Sequence, residues 1–404
     1  MKYYNGKESI RLASNLKIDK NKGEDVNIFL LGDADSGLYE NFIYPNLRKW
    51  NGSYIIIDYE DKIYNEINQK LKNVFKVLKY DVNQNCNPYM WIKNKQDVID
   101  FSITFIKNSS VVMGRGKDYT KVAEMITRSI LLYVFEKIPS SKRNLEYTKR
   151  VIEMLKKKKS EYFKEVFSKR VNLMETYKQY KKIDRIDEND YQETLTLLFE
   201  LFNQIPESET VNEQMENLID MAEVCKIPSV IFIELSKIQT IDSFVCMQTL
   251  KKLHKYTKNK KDELDFPILF VYNKIEEIGY IPRFNIFQKN QSNVEVVNIM
   301  YFQNMDTLSN QLKETIKEIC NYGIIFKTKN VFSIIFISEM IQKDKLAKIT
   351  ITDRHNIKEL YKDIMKGKNG CIVYQKNKKI TEEYQINGKL DENPFAYFSG
   401  IGKK

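Results

Sequence analysis

Residues 26–37, VNIFLLGDADSG, constrain the fold more than any other stretch of the chain. A six-residue run with one polar member, Asn27, leads straight into a turn bounded by glycines. A short apolar run without polar alternation reads as a strand buried on both faces. Burial on both faces demands a covering layer on each side, which points to a parallel sheet with crossover helices. Gly32 and Gly37 stand four residues apart, the glycine spacing of a loop that wraps phosphate groups. Such a loop continues with Lys and then Ser or Thr; here the next residues are Leu38 and Tyr39.

The alternation of strand and helix continues downstream. Leu38–Trp50 reads as a helix interrupted near Pro45, Tyr54–Asp58 as a strand, Asp61–Lys72 as a helix and Phe75–Tyr80 as a strand. From about Lys95 to Ala222 the periodicity is helical throughout. Strands return at Ser229–Leu235, Pro267–Tyr272, Glu295–Phe302 and Gly323–Lys327, with helices such as Ser243–Tyr256 and Thr307–Cys320 between them. The tail GKNGCIVYQKNKKITEEY holds two strand-like runs around a polar turn, the pattern of a hairpin. The expected organisation is an α/β domain in two parts, 1–94 and 225–404, with an all-helical domain inserted over 95–224.

Several function classes are excluded by composition. The five cysteines (Cys86, Cys225, Cys246, Cys320, Cys371) are scattered and form no Cys-x-x-Cys pair, so a reduced, cytosolic protein without a metal framework is expected. Two histidines, His254 and His355, leave little scope for histidine-based catalysis or zinc binding. Cys246 and His254 share one expected helix but lie too far apart for a dyad; they read as core and surface. No apolar run is long enough to span a bilayer, and the start MKYYNGKESIRLASN lacks the apolar centre of a signal peptide. The net charge of +11 is uneven: residues 141–187 carry 15 Lys/Arg against 7 Asp/Glu, and residues 188–225 carry ten acidic residues and no basic one. Within the basic part, Lys156, Lys157, Lys158 and Lys159 lie in a helical period. They read either as a solvated helix face or as a face for DNA phosphates. Tyr89 and Trp91, after Pro88, read as a loop packed on the sheet.

Four stretches in fixed order resemble the TraG family of type IV coupling proteins, the hexameric DNA-pumping ATPases of bacterial conjugation and type IV secretion. They are SIRLASNLK…VNIFLLGDADSGLYENFIYPNL, GSYIIIDYED, NCNPYMWIKNKQDVIDF and ILFVYNKIEEIGYIPRF. The first keeps the family's Pro-Asn-Leu as Pro45, Asn46 and Leu47. In the second, Asp58 survives from Asp-Pro-Lys-Gly. The fourth keeps the ending Ile-Gly-x-Ile-Pro-x-Phe as Ile278, Gly279, Ile281, Pro282 and Phe284. In VVNIMYFQNMDTL, Gln303 occupies the family's glutamine slot at a strand end. The resemblance implies a P-loop NTPase-like fold of the RecA/FtsK type, a mostly parallel sheet with an inserted all-helical domain. It covers roughly residues 8–390, and the family's amino-terminal membrane helices have no counterpart here.

Under that resemblance the chemistry departs from the family. The loop Gly32, Asp33, Ala34, Asp35, Ser36, Gly37 keeps its turn. Leu38 replaces the lysine that meets phosphates, and Tyr39 replaces the hydroxyl that binds magnesium. Asn273 and Lys274 replace the Asp-Glu pair that orients the metal and activates water. Asp33 and Asp35 would face a triphosphate and repel it. Each lost charged hydrogen bond is worth about 1.5–3 kcal/mol, so a micromolar nucleotide site would be nearly abolished. Glu276 and Glu277 would need a register slip to substitute. The expectation is a catalytically inactive coupling-protein-like component with no cofactor, ATP and magnesium entering only if the site is compensated. Its expected partners are type IV secretion or relaxosome proteins, DNA, or an active coupling-protein subunit, at the inner face of the cell membrane and without a span of its own. The alternatives are a DNA-translocating ATPase with a compensated site, and a stand-alone nucleic-acid or protein-binding module.

Overall fold

The computed structural model describes residues 9–13, 16–19, 26–50, 52–72, 75–82, 87–170, 186–205, 224, 227–259, 267–285, 296–343, 370–375 and 383–385. Its centre is a nine-stranded sheet in the order β11-β10-β9-β3-β8-β7-β4-β6-β5. The strands are β3 (Val26–Leu31), β4 (Ser53–Asp58), β5 (Lys76–Asp81), β6 (Ser229–Glu234), β7 (Ile268–Tyr272), β8 (Val296–Phe302), β9 (Tyr322–Ile325), β10 (Gly370–Gln375) and β11 (Glu383–Gln385). From β9 to β5 all neighbours are parallel, while β10 and β11 add two antiparallel strands at the β9 edge. A separate two-stranded unit, β1 (Ser9–Ala13) and β2 (Leu16–Asp19), precedes the sheet and carried no clear sequence signal.

The apolar run of β3 behaves as its composition demands. Ile28 and Leu30 enter the core on one face of the sheet, and Phe29 and Leu31 the core on the other. Side chains alternate across a strand, so a run without polar alternation must be covered twice. One cover comprises helices Tyr44–Lys49 and Lys62–Lys72. The other includes Lys95–Lys107, Lys117–Lys137, Leu145–Lys156, Glu188–Asn203 and Gln239–Asn259, and its core is continuous with the sheet face. Among the described residues, 87–205 contain helices and no strand. The one polar residue of β3, Asn27, sits opposite Asn298 of β8, whose Nδ2 donates to the Asn27 Oδ1 at 2.9 Å. A one-residue slip would bury both amides unpaired, so this contact pins the register of the central pair.

Pro45 does not interrupt its helix as the sequence suggested. Tyr39–Ile43 forms a π-helical turn that runs directly into Tyr44–Lys49. The wide turn lies just upstream of the proline, which cannot donate the usual backbone bond. Two long segments also differ from expectation: the helix at Gln239–Asn259 is longer at both ends, and Val331–Lys343 is a helix that the sequence reading did not include. Most of the acidic stretch, 206–223, lies outside the described residues, as do 171–185 of the basic one.

Gly323 in β9 is fixed by close approach. A Cβ there would fall 2.0 Å from Cζ of the Phe29 ring. Gly323→Ala should destabilise the protein by about 1–3 kcal/mol in urea melts, as overpacked cores do. Combined with Phe29→Ala, the two costs should be clearly less than additive, because the second change removes the clash.

Candidate functional site

In a parallel sheet the carboxyl ends of the strands open on the crevice where ligands bind. Here that end brings together the turn after β3, the residue after β7 and the last residue of β4. Because β8 lies between β3 and β7, a side chain from the β3 turn must cross the end of β8 to reach β7. Tyr39 does so. Its hydroxyl donates to Asn273 Oδ1 at 2.7 Å, and Asn273 Nδ2 donates to Asp58 Oδ1 at 2.9 Å. Asp58 accepts in addition from the backbone N–H groups of Ile63 (3.2 Å) and Tyr64 (2.7 Å), at the start of helix Lys62–Lys72. This network of four hydrogen bonds ties the segment after β3 to β7 and β4, and all three side chains are buried. The sequence reading paired Tyr39 with a lost metal site and Asn273 with a lost carboxylate. The structure joins the two substitutions in one hydrogen bond.

The ring of Tyr39 fills the space around that bond. Tyr301 of β8 meets it edge-on with centroids 5.5 Å apart, and Tyr44 meets it tilted at 5.8 Å. The Lys62 ammonium lies 3.7 Å from the ring centre. Burial pushes the Tyr39 phenol far above its ordinary range, so it stays protonated and remains a donor. Asp58 is pushed up to about 6, since burial outweighs its hydrogen-bond donors.

The turn itself is closed by its own atoms. Leu38 is wholly buried, and its Cδ1 lies 3.3 Å from where a Cβ on Gly32 would sit. Ser36 Oγ lies 2.8 Å from the same point, so a side chain at position 32 has no room. Gly37 has a φ of +77°, a conformation other residues adopt only with strain. Two loop amides are used internally: Asp33 N–H donates to Lys327 O, and Ser36 N–H to Asp33 O. The Asp33 carboxylate accepts from Thr328 Oγ1 at 3.0 Å and Lys329 N at 3.1 Å. Asp35 and Ala34 are exposed.

Glu276 was placed out of reach by the sequence reading. In fact Lys274 adopts a left-handed conformation (φ 55°) that reverses the chain into the short helix Ile275–Ile278. No register slip is involved. The turn swings Glu276 beneath the end of β8, where its Oε1 accepts from Gln303 N at 2.7 Å and Asn304 N at 3.2 Å. Gln303 and Glu276, read separately in the sequence, thus meet through the Gln303 backbone. Glu276 is 5% exposed and burial pushes it up to about 7. Lys274 points to Glu60, 3.9 Å away, and lies over the Tyr59 ring.

These groups do not form a fit for a triphosphate with magnesium. Leu38 and Tyr39 supply neither an ammonium nor an aliphatic hydroxyl. The Asp58 oxygens are engaged by three N–H donors.

The remaining candidates lie elsewhere. The lysine run 156–159 is not a continuous helix face: one helix ends at Lys156 and the next begins at Ser160. Lys156 lies over the Phe199 ring and Lys158 over that of Tyr162. Cys246 is fully buried, His254 half-buried. The Ile-Gly-x-Ile-Pro-x-Phe segment has a structural use. Asn108 Oδ1, at the end of helix Lys95–Lys107, would be 2.3 Å from a Cβ on Gly279 and accepts from Tyr280 N at 2.7 Å. Arg283 pairs with the buried Asp100, and Phe284 packs edge-on against Tyr272. The segment therefore fastens the helical layer to the end of β7.

No family model and no curated protein sequence matches the chain. Solved structures do. VirB4 of Thermoanaerobacter pseudethanolicus superposes with a TM-score of 0.54 at 10% identity, over 96% of this chain and 99% of that one. The plasmid coupling protein TrwB in complex with the non-hydrolysable ATP analogue ADPNP gives 0.56 at 9%, over 89% and 85%. The unbound bacterial conjugative coupling protein TrwBdeltaN70 gives 0.51 at 7%, over 83% and 78%. The chain has the P-loop NTPase-like fold of these proteins. The fold class implied by the TraG resemblance is thereby confirmed, at identities too low to carry residue roles across.

Tyr39→Phe keeps the ring and removes the donor to a buried amide oxygen. It should cost about 1–3 kcal/mol in chemical denaturation.

The buried carboxylates give a pH test. Asp58 (about 6), Glu276 (about 7) and Asp242 (about 7) all titrate above their ordinary values of 3.8, 4.5 and 3.8. The folded state therefore holds protons that the unfolded chain releases. Their contribution is full below about pH 4 and is lost as pH rises to about 7, each group being worth on the order of 3 kcal/mol. The melting temperature should be higher at pH 5 than at pH 8. Glu276→Gln should raise it at pH 8 while leaving it unchanged near pH 4.

Proposed function

We propose that this protein is a nucleotide-silent component of conjugative DNA transfer or type IV secretion, acting in substrate docking or assembly. The observation that carries the reading is the bond from Tyr39 to Asn273. The side chain that follows the glycine turn is spent on holding three strands together, where phosphate chemistry needs it directed at a ligand. The fold shared with TrwB and VirB4 supports the pathway, and the closed turn supports the silence. An active coupling-protein subunit is a natural partner, supplying nucleotide to a mixed ring in which this chain presents an inert face. Among the described residues no helix is long and apolar enough to cross a membrane.

The reading is tested by melting the full chain with ATP and magnesium. A site with a dissociation constant one hundredth of the ligand concentration would add about 2.7 kcal/mol. No shift, and no phosphate release above that of a heat-inactivated sample, is expected. Magnesium-dependent release abolished by Glu276→Gln would overturn it. Light scattering should show a monomer or small oligomer whose mass does not change with nucleotide. Co-purification with secretion-channel or relaxosome proteins tests the pathway.

A further inference from the structure

At the carboxyl end of the sheet, the segments after β6 and β7 are built alike. Lys237 after β6 (φ 67°) and Lys274 after β7 (φ 55°) both take a left-handed conformation. A residue other than glycine is strained there, so each reversal needs a fastening. A buried carboxyl supplies it. Asp242, in the first turn of helix Gln239–Asn259, accepts from Ser236 N and Ser236 Oγ on its Oδ1, each at 2.7 Å. Glu276 accepts from Gln303 N and Asn304 N on its Oε1. In both, the second oxygen is buried without a hydrogen-bond partner. Asp242 faces Cys246, one turn along its own helix, and Tyr59 after β4. Glu276 faces Glu277 beside it, Tyr301 of β8 and the same Tyr59. Lys237 and Lys274 direct their ammonium groups to Glu60, 3.8 and 3.9 Å away, and to the Tyr59 ring. A neutral carboxyl here leaves one hydroxyl unpaired, whereas an ionised one leaves a buried charge without a counter-ion. Burial accordingly pushes both groups up to about 7.

We propose that Asp242 and Glu276 are proton-closed latches: protonated, they hold the segments after β6 and β7 against the sheet, and loss of the proton lets these two segments open while the sheet and the helical layer stay folded. An opened segment returns its carboxyl to water and to its ordinary value of 3.8 or 4.5. The opening constant of each latch therefore rises about tenfold per pH unit between about pH 4.5 and 7, and is level above that. Because β4 lies between β6 and β7, the two segments flank its end. Their opening uncovers Tyr59 and the approach to Asp58, so the crevice is most tightly shut in acid.

The test is amide hydrogen exchange of the full chain from pH 4.5 to 8, corrected for the intrinsic pH dependence of exchange and read by mass spectrometry. Protection at Ser236 and at Gln303 and Asn304 should fall by roughly a hundredfold or more up to pH 7 and then hold level. Peptides from β3 and from helix Lys95–Lys107 should stay far better protected at every pH, which separates local from global opening. Asp242→Asn should flatten the profile at Ser236 and leave the slope at Gln303 and Asn304. Glu276→Gln should do the reverse, since an amide keeps the accepting oxygen and cannot ionise. The wild-type profile is decisive even if a variant does not fold. A flat wild-type profile, protection at the two segments no lower than in β3, or slopes that survive both amide variants would overturn the proposal.

Discussion

A parallel sheet whose inner strands are buried on both faces leaves their carboxyl ends as the place where polar side chains can gather without breaking the core. Everything specific to this chain follows from how that rim is used. The turn after β3, the reversal after β7 and the end of β4 meet there because β7 pairs with β4 and Tyr39 reaches β7 across the end of β8. Asp58, Asn273 and Tyr39 are each costly to bury alone, and each is satisfied by the next. A buried polar group is tolerated when its partners are fixed. Here the partners arrive from three separate strands, so the rim also fastens the sheet.

The central sheet was legible because β3, β4, β7 and β8 are apolar runs bounded by turns, a signal that survives without context. The helices of the described residues 95–170 and 188–203 were legible from period alone. What was not legible depended on geometry between distant residues. Nothing in Lys274 announces a left-handed conformation, yet that single backbone angle decides that Glu276 lies under β8. Tyr39 and Asn273 could each be read as losses; their mutual bond is invisible to a reading made one position at a time. Asp33 was read by charge and proved to be held by Thr328 and the Lys329 backbone, nearly three hundred residues away. Pro45 was read as a break because the π-helical turn that accommodates it has no sequence signature. Lys62 passed unnoticed because a helix-surface lysine looks ordinary until an aromatic ring is placed beneath it.

The helical layer is fastened to the sheet by charge as well as by packing. Asp97 and Asp100, both buried on helix Lys95–Lys107, are met within the layer by Lys251 of helix Gln239–Asn259, and Asp100 also by Arg283 of the segment that follows β7. Removing one partner of such a pair leaves an uncompensated buried charge, a far larger penalty than losing a surface ion pair. The layer and the sheet therefore behave as one cooperative body along this seam, and Asn108, clasping Gly279 and Tyr280, closes its far end.

The tyrosine–asparagine bond also has an evolutionary consequence. Exchange of Tyr39 for a small hydroxyl residue would open a cavity among Tyr44 and Tyr301 and strand the Asn273 oxygen. Exchange of Asn273 for aspartate would set two carboxylates side by side in a buried rim already short of counter-charge. A change at either position thus strands its partner, so the two residues are coupled in stability and tolerate exchange only together.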